Sequence, residues 1–143
     1  MRRSWIAAAL VASVSVVLIA ADLSQADAKK LQNPVPFTRR TIDQGYATFQ
    51  QYCTGCHGKD GKADMAIVPA TDLTAPKLYK SGTTDGEIFR SIRDGAGDQM
   101  PPFKYQGLSE TEIWQLVSFI HSLWPEAMRP PLLPNESKSG KRM

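Results

Sequence analysis

Cys53-Thr54-Gly55-Cys56-His57 is the stretch on which the fold of this chain depends. It holds the only two cysteines among 143 residues. A disulfide across so short a spacing would close a tiny loop and brace nothing, so the pair is one chemical site and not a scaffold. A thioredoxin-like redox pair calls for a βαβ setting, and no such pattern surrounds it. Zinc wants four ligands in a tetrahedral array. The chain offers Cys53, Cys56, His57 and the distant His121, and the adjacent Cys56 and His57 would chelate poorly. A purely structural Cys-x-x-Cys leaves His57 without a reason.

C-x-x-C-H is the attachment signal for c-type haem. Two thiols at this spacing reach both porphyrin vinyl groups from one turn of chain. The imidazole that follows is then held beneath the iron as the proximal ligand. The expected cofactor is one covalent haem c, bound through Cys53 and Cys56, with His57 on the iron.

The residues on either side give the motif a helical frame. Ile42, Tyr46 and Phe49 recur at helical spacing and predict a short helix over 41–52. Thr84 with Glu87 forms a capping box that opens a second helix, 84–94, with Ile88, Phe89 and Ile92 on its buried face and Gly95 as a left-handed stop. Ser109 with Glu112 opens a third. Its apolar stripe is Ile113, Leu116, Val117, Ile120, Leu123 and Trp124, and Pro125 ends it. Residues 58–81 and 97–107 are rich in Gly, Pro, Asp and Thr and read as loop. No run alternates as a strand does. The expected fold is all-α: three main helices and loops packed around one haem. So few short helices bury little apolar surface, and a flat apolar cofactor at the centre would supply the missing core.

Arg2 and Arg3 precede an apolar run over residues 5–21, followed by the small-x-small motifs Ser24-Gln25-Ala26 and Ala26-Asp27-Ala28. This is the pattern of an export signal, with cleavage expected after Ala28 and retention as a membrane anchor as the alternative. Residues 1–28 are thus the signal or anchor, 29–41 a proline-bearing linker, 42–125 the domain, and 126–143 a Pro-rich basic tail. Lys and Arg number 17 against 14 Asp and Glu. That small, scattered excess excludes nucleic acid as a partner. The membrane is a partner only if the N-terminal run is kept.

Residues 43–124 resemble the class I cytochromes c. Gly45 and Phe49 stand eight and four residues before Cys53, where that family packs its first helix against its last. Leu116 and Phe119 match the family's partners on the last helix. The resemblance implies a Met from a loop before the last helix as sixth iron ligand, and Met100-Pro101 fits in place and context. Met65, Met128 and His121 are the weaker candidates. It also implies a loop carbonyl that orients the His57 ring, with Thr71-Asp72-Leu73 and Pro76-Lys77-Leu78 both partly fitting. Arg90, Arg93, Tyr79 and Trp114 are candidate donors to the haem propionates. Lys59, Lys62 and Lys104, with Lys77 and Lys80 behind them, are candidates for a docking rim.

An iron held on both sides has no open position for substrate, which suits one-electron transfer between redox proteins and disfavours catalysis. The expected protein is an exported carrier, working as a shuttle or as a subunit of a respiratory or dehydrogenase complex. Two alternatives stand beside it: a haem enzyme or gas sensor with a displaceable sixth ligand, and a non-haem thiol or metal-binding module.

Overall fold

Helix α1, Gln25–Ala28, is a single turn capped by the Ser24 hydroxyl. Helix α2, Arg39–Tyr52, starts two residues before the predicted position. Thr38 is its N-cap and Thr41 reaches back to the Thr38 N–H, a Thr–Thr capping box that the apolar spacing alone does not reveal. Helix α3, Thr54–His57, is the one-turn continuation that carries the cysteine motif. Helices α4, Asp85–Asp94, and α5, Glu110–Ser122, open on the two capping boxes expected for them. The computed structural model describes residues 22–64 and 69–135. Among these there is no strand, only isolated bridges at Thr38–Leu133 and Ala96–Met100.

The centre of the molecule is the crossing of α2 on α5. Gly45 lies directly under the α5 backbone: a Cβ there would stand 2.0 Å from the Gln115 carbonyl oxygen and 2.9 Å from Phe119 Cβ. That absence of a side chain lets the helices approach closely enough for Phe49 to pack on Phe119, ring centroids 4.9 Å apart. Helix α4 covers the other side of α5, where Phe89 stacks on Trp114 with centroids 3.9 Å apart and planes 15° from parallel. Ile88 and Ile92 complete its buried face.

Gly95 ends α4 with φ +86° and ψ 163°, an extended conformation of positive φ and not the left-handed helical turn expected. The reason is the loop that follows. Ala96 and Met100 exchange backbone hydrogen bonds at 3.2 and 3.4 Å, and the Met100 carbonyl lies 2.7 Å from where a Gly95 Cβ would be.

Segments expected to hang free are tied down. Residues 29–41, read as a linker, lie on the body: Asn33 donates to the Trp114 carbonyl and the Ser118 hydroxyl, both at 3.0 Å, and Phe37 and Thr38 are buried. The chain after Pro125 also returns. Leu133 donates its N–H to the Phe37 carbonyl at 2.8 Å, and the Asn135 side chain accepts from Arg40 N–H. The expected tail therefore packs as far as Asn135; residues 136–143 and the apolar run 5–21 lie outside the described residues.

Candidate functional site

Between α2, α4, α5 and the two long loops lies a cavity of about 670 Å³. That is within the size range of cofactor sites, which are typically apolar with a few placed polar groups. Phe49, Ile88, Ile92, Leu116 and Ile120 supply the apolar wall from the helices. Cys53, His57 and Met100 line the same space. The structure thus brings together three of the four sequence candidates. Cys56 is exposed, in the same turn of α3.

His57 is aimed by the loop beneath it. Its Nδ1–H donates to the Thr71 carbonyl at 3.0 Å. That carbonyl is itself held in place. Leu73 N–H donates to the Gly61 carbonyl at 2.7 Å, Asp72 accepts from both the N–H and the hydroxyl of Thr74, and the Leu73 carbonyl accepts from Tyr79 and Trp124. Of the two segments that fitted from sequence, the one at Thr71 is the acceptor, while Pro76–Leu78 forms a 3-10 turn further along the loop. With Nδ1 protonated, Nε2 is left with its lone pair, the form in which an imidazole binds a metal. Burial lowers the His57 pKa, only partly opposed by the bond to Thr71, and so favours that neutral ring.

Cys53 is not poised for thiol exchange. Burial, with the neighbouring Cys56 adding to it, pushes the Cys53 thiol up to about 12, and a thiol that stays protonated is a poor nucleophile.

Among the other candidate ligands, Met128 is exposed in the 3-10 turn Glu126–Met128, and Met65 lies outside the described residues. His121 is buried, where it faces Trp124 and Asp85. It does not line the cavity.

Three of the four expected propionate donors are elsewhere. Arg93 pairs with Asp94 at 2.8 Å, Arg90 donates to the Leu23 carbonyl and to Gln25, and Trp114 lies under Phe89. Tyr79 lines the cavity, but its hydroxyl donates to the Leu73 carbonyl at 2.9 Å. Burial pushes that hydroxyl up to about 12, so it remains a donor committed to the loop. Among the described residues, the Lys and Arg that line the cavity are Lys62 and Lys80. Sequence spacing had no means of placing Lys80 there, because its position follows from the loop's path.

Lys104 needs a correction of another kind. It was expected as a free rim cation, yet its side chain is only 10% exposed and pairs with Asp94 at 3.1 Å and with Asp22. Those carboxylates hold its pKa well above the usual lysine value. A charge neutralised on two sides does not steer a partner.

The donor set and the apolar wall fit a haem: a neutral imidazole with its outer N–H satisfied, a soft neutral thioether, and a cysteine at the edge of an apolar space. Residues 40–120 match the family model described as Cytochrome C oxidase, cbb3-type, subunit III. The chain belongs to this family. It is a c-type cytochrome of the small all-α fold, and its cofactor is haem c. The cytochrome is similar to the Cbb3-type cytochrome c oxidase subunit CcoP of Helicobacter pylori strain 52, with 38% identity over 99 residues. The match takes in 68% of this chain and 31% of that subunit, so the cytochrome spans about a third of its relative's length. Its fold is similar to cytochrome cL of the marine methylotroph Methylophaga aminisulfidivorans, at 25% identity and a TM-score of 0.52, covering 60% of this chain and 55% of the other. A chain of the Kuenenia stuttgartiensis reducing HAO-like protein complex is similar at 25% identity and a TM-score of 0.56, covering 66% and 50%.

Proposed function

We propose that Cys53 and Cys56 carry the haem as thioethers, that His57 and Met100 are its axial ligands, and that the cytochrome passes single electrons within a respiratory oxidoreductase assembly. One observation carries this most directly. His57, oriented by Thr71, and Met100, oriented by the Ala96–Met100 bridge, line one apolar cavity that begins at Cys53. When bound, the haem supplies a one-electron iron couple.

The residues of the chain do the rest. Thr71 fixes the imidazole tautomer and orientation, and a hydrogen bond to Nδ1 raises ligand basicity. The Met100 thioether favours the reduced metal relative to a second imidazole. Phe49, Ile88, Leu116 and Ile120 keep water from the inner face, which lowers the local dielectric and tunes the potential. Lys62 and Lys80 are the cations in position to meet carboxylates at the cavity wall. With His57 and Met100 both holding the iron, the chain would leave no open position on the group, which favours electron transfer over chemistry on a bound small molecule. Similarity to an oxidase subunit supports a place on the donor side of a terminal oxidoreductase, as a fixed subunit or as a shuttle to one.

The test is Met100→Ala in haem-loaded protein. The wild type should resist carbon monoxide in the ferrous state and show the weak long-wavelength thioether-to-iron band in the ferric state. The variant should bind the gas and lose the band. An unchanged spectrum in Met100→Ala would overturn the assignment of the sixth ligand.

A further inference from the structure

Asp94 breaks a local rule. It is the last residue of α4, where the helix dipole presents its negative end and a carboxylate is unfavourable. Its side chain is also only 5% exposed. A charge survives burial when it is paired and hydrogen-bonded, and Asp94 is both. Its Oδ1 meets Arg93 Nη1 at 2.8 Å and Lys104 Nζ at 3.1 Å, and its Oδ2 accepts from the Leu23 N–H at 2.8 Å. Arg93 and Leu23 come from beside the carboxylate and from the segment before α1. Lys104 comes from the far end of the loop that follows α4.

That loop carries Met100. Asp94 and Lys104 close it from outside, and the paired backbone hydrogen bonds of Ala96 and Met100 close it again within. Its two arms differ in stiffness. The arm before Met100 holds Gly95 and Gly97, with φ of 86° and 59°, and bends there. The arm after it is Pro101-Pro102, whose rings fix φ and restrict the residues that precede them. It leads directly into the 3-10 turn Phe103–Tyr105. Phe103 is buried, with its ring edge-on to Tyr52 and centroids 6.3 Å apart, and Lys104 is the next residue. A stiff arm transmits the position of its far end. Met100 therefore stands at the cavity wall where Phe103 and Lys104 hold that arm.

We infer that Lys104, through its ion pair with Asp94, is a positioning residue for Met100: it holds the loop 95–103 closed and so keeps the thioether at the cavity wall. The inference rests on the reading of Met100 as the sixth ligand. It gives a reason for the buried carboxylate at the end of α4, and for a lysine drawn into the body of the domain. Asp22 pairs with the same ammonium, so the segment before α1 braces the clamp from outside. A competing ligand from solution can replace Met100 only in molecules whose loop has opened, and its apparent affinity therefore measures that population.

The experiment titrates ferric, haem-loaded protein with imidazole and follows the visible spectrum. In Lys104→Gln, Asp94 keeps Arg93 and the Leu23 N–H, so no bare buried charge is created. This variant should bind imidazole at least about tenfold more tightly than wild type, the size expected when a hydrogen bond between charged groups is taken from the closed form. Asp94→Asn, which removes the charge from the other side of the pair, should tighten binding as well. Lys104→Arg keeps a cation within reach of Asp94 and should stay near wild type. Gly45→Val controls for a general loss of stability, because it disturbs the α2–α5 crossing, and its imidazole affinity should not change. In a Met100→Ala background, Lys104→Gln should add nothing further. Wild-type affinity in both Lys104→Gln and Asp94→Asn overturns the inference. So does equal tightening in Gly45→Val, in Lys104→Arg or in the Met100→Ala background. The outcome for Met100→Ala alone separates the two readings. If it binds imidazole no more tightly than wild type, the sixth-ligand reading fails and the clamp with it. If it tightens binding while Lys104→Gln does not, only the clamp fails.

Discussion

The α2–α5 crossing and the two long loops are held together in different ways. At the crossing, side chains fill each other's gaps: Gly45 under the Gln115 carbonyl, Phe49 on Phe119, and Phe49, Ile113, Leu116 and Val117 each less than 2% exposed. The loop residues 58–64, 69–81 and 95–107 face these helices across a cavity of about 670 Å³. They are ordered chiefly by hydrogen bonds, such as Leu73 N–H to the Gly61 carbonyl and His57 Nδ1–H to the Thr71 carbonyl. A hydrogen bond contributes about 1 kcal/mol net. Burial of a large apolar side chain contributes about 1.5–3 kcal/mol. The crossing is thus closed by the chain's own residues, whereas the loop half is shaped to close on a guest.

The sharpest way to break this contrast is to withhold the guest. In Cys53→Ser/Cys56→Ser protein, amide protection over 69–82 and 95–107 should collapse while α2 and α5 retain part of theirs. Accumulation in the cell should fall steeply. Full protection of the loops without haem, measured by hydrogen exchange, would show that the two halves do not differ.

Gly45→Val attacks the other half. A side chain at Gly45 meets backbone rather than a flexible tip, so the helices must separate. Overpacking of this kind costs about 3 kcal/mol. The denaturation midpoint of the haem-loaded variant should drop accordingly, with the haem spectrum changed little at low denaturant.

Lys104→Gln tests whether the edge of the loop half is structural. Because Lys104 pairs with Asp94 and Asp22, its loss should lower the melting temperature and leave the salt dependence of electron transfer to a partner unchanged. A pure change in association rate, with stability intact, would restore it to the docking rim.

The smallest effect concerns pH. His121 is buried against Trp124, with Nδ1 3.5 Å from Asp85, and Nε2 is buried without a partner among the described residues. Burial lowers its pKa below the ordinary 6.5, and the Asp85 carboxylate opposes this only in part. The unfolded chain therefore takes up the proton first. Stability should fall as the pH drops through 6.5 and level off below the folded value. Comparing denaturation midpoints at several pH values, His121→Phe should be flatter over that window than the wild type.

Much of this molecule was legible in local sequence. The capping boxes at Thr84 and Ser109, the apolar stripe of α5 and the C-x-x-C-H motif are all short-range signals, and each names a geometry that one or two turns of chain can build alone. Local signals missed the start of α2, because the Thr38–Thr41 box lies outside the usual Ser/Thr-x-x-Glu/Gln pattern. They also missed the packing of residues 29–41, where proline and polar residues read as linker. Their partners, on α4 and α5, are more than 50 positions away.

The sequence by itself determined the all-α class and the cofactor, and its spacing named Cys53, Cys56 and His57, because thioether attachment with a following imidazole demands particular side chains at particular spacings; Met100 was named by the resemblance to the class I cytochromes c. Only the tertiary structure decided that Thr71 orients His57, that Lys80 rather than Arg90 or Arg93 reaches the cavity, that Lys104 is neutralised, and that Ala28 lies on Gly86. The physical reason is the same in each case. A backbone carbonyl carries no sequence signature, and whether a cation is free or paired depends on which carboxylate a distant turn of chain brings within reach.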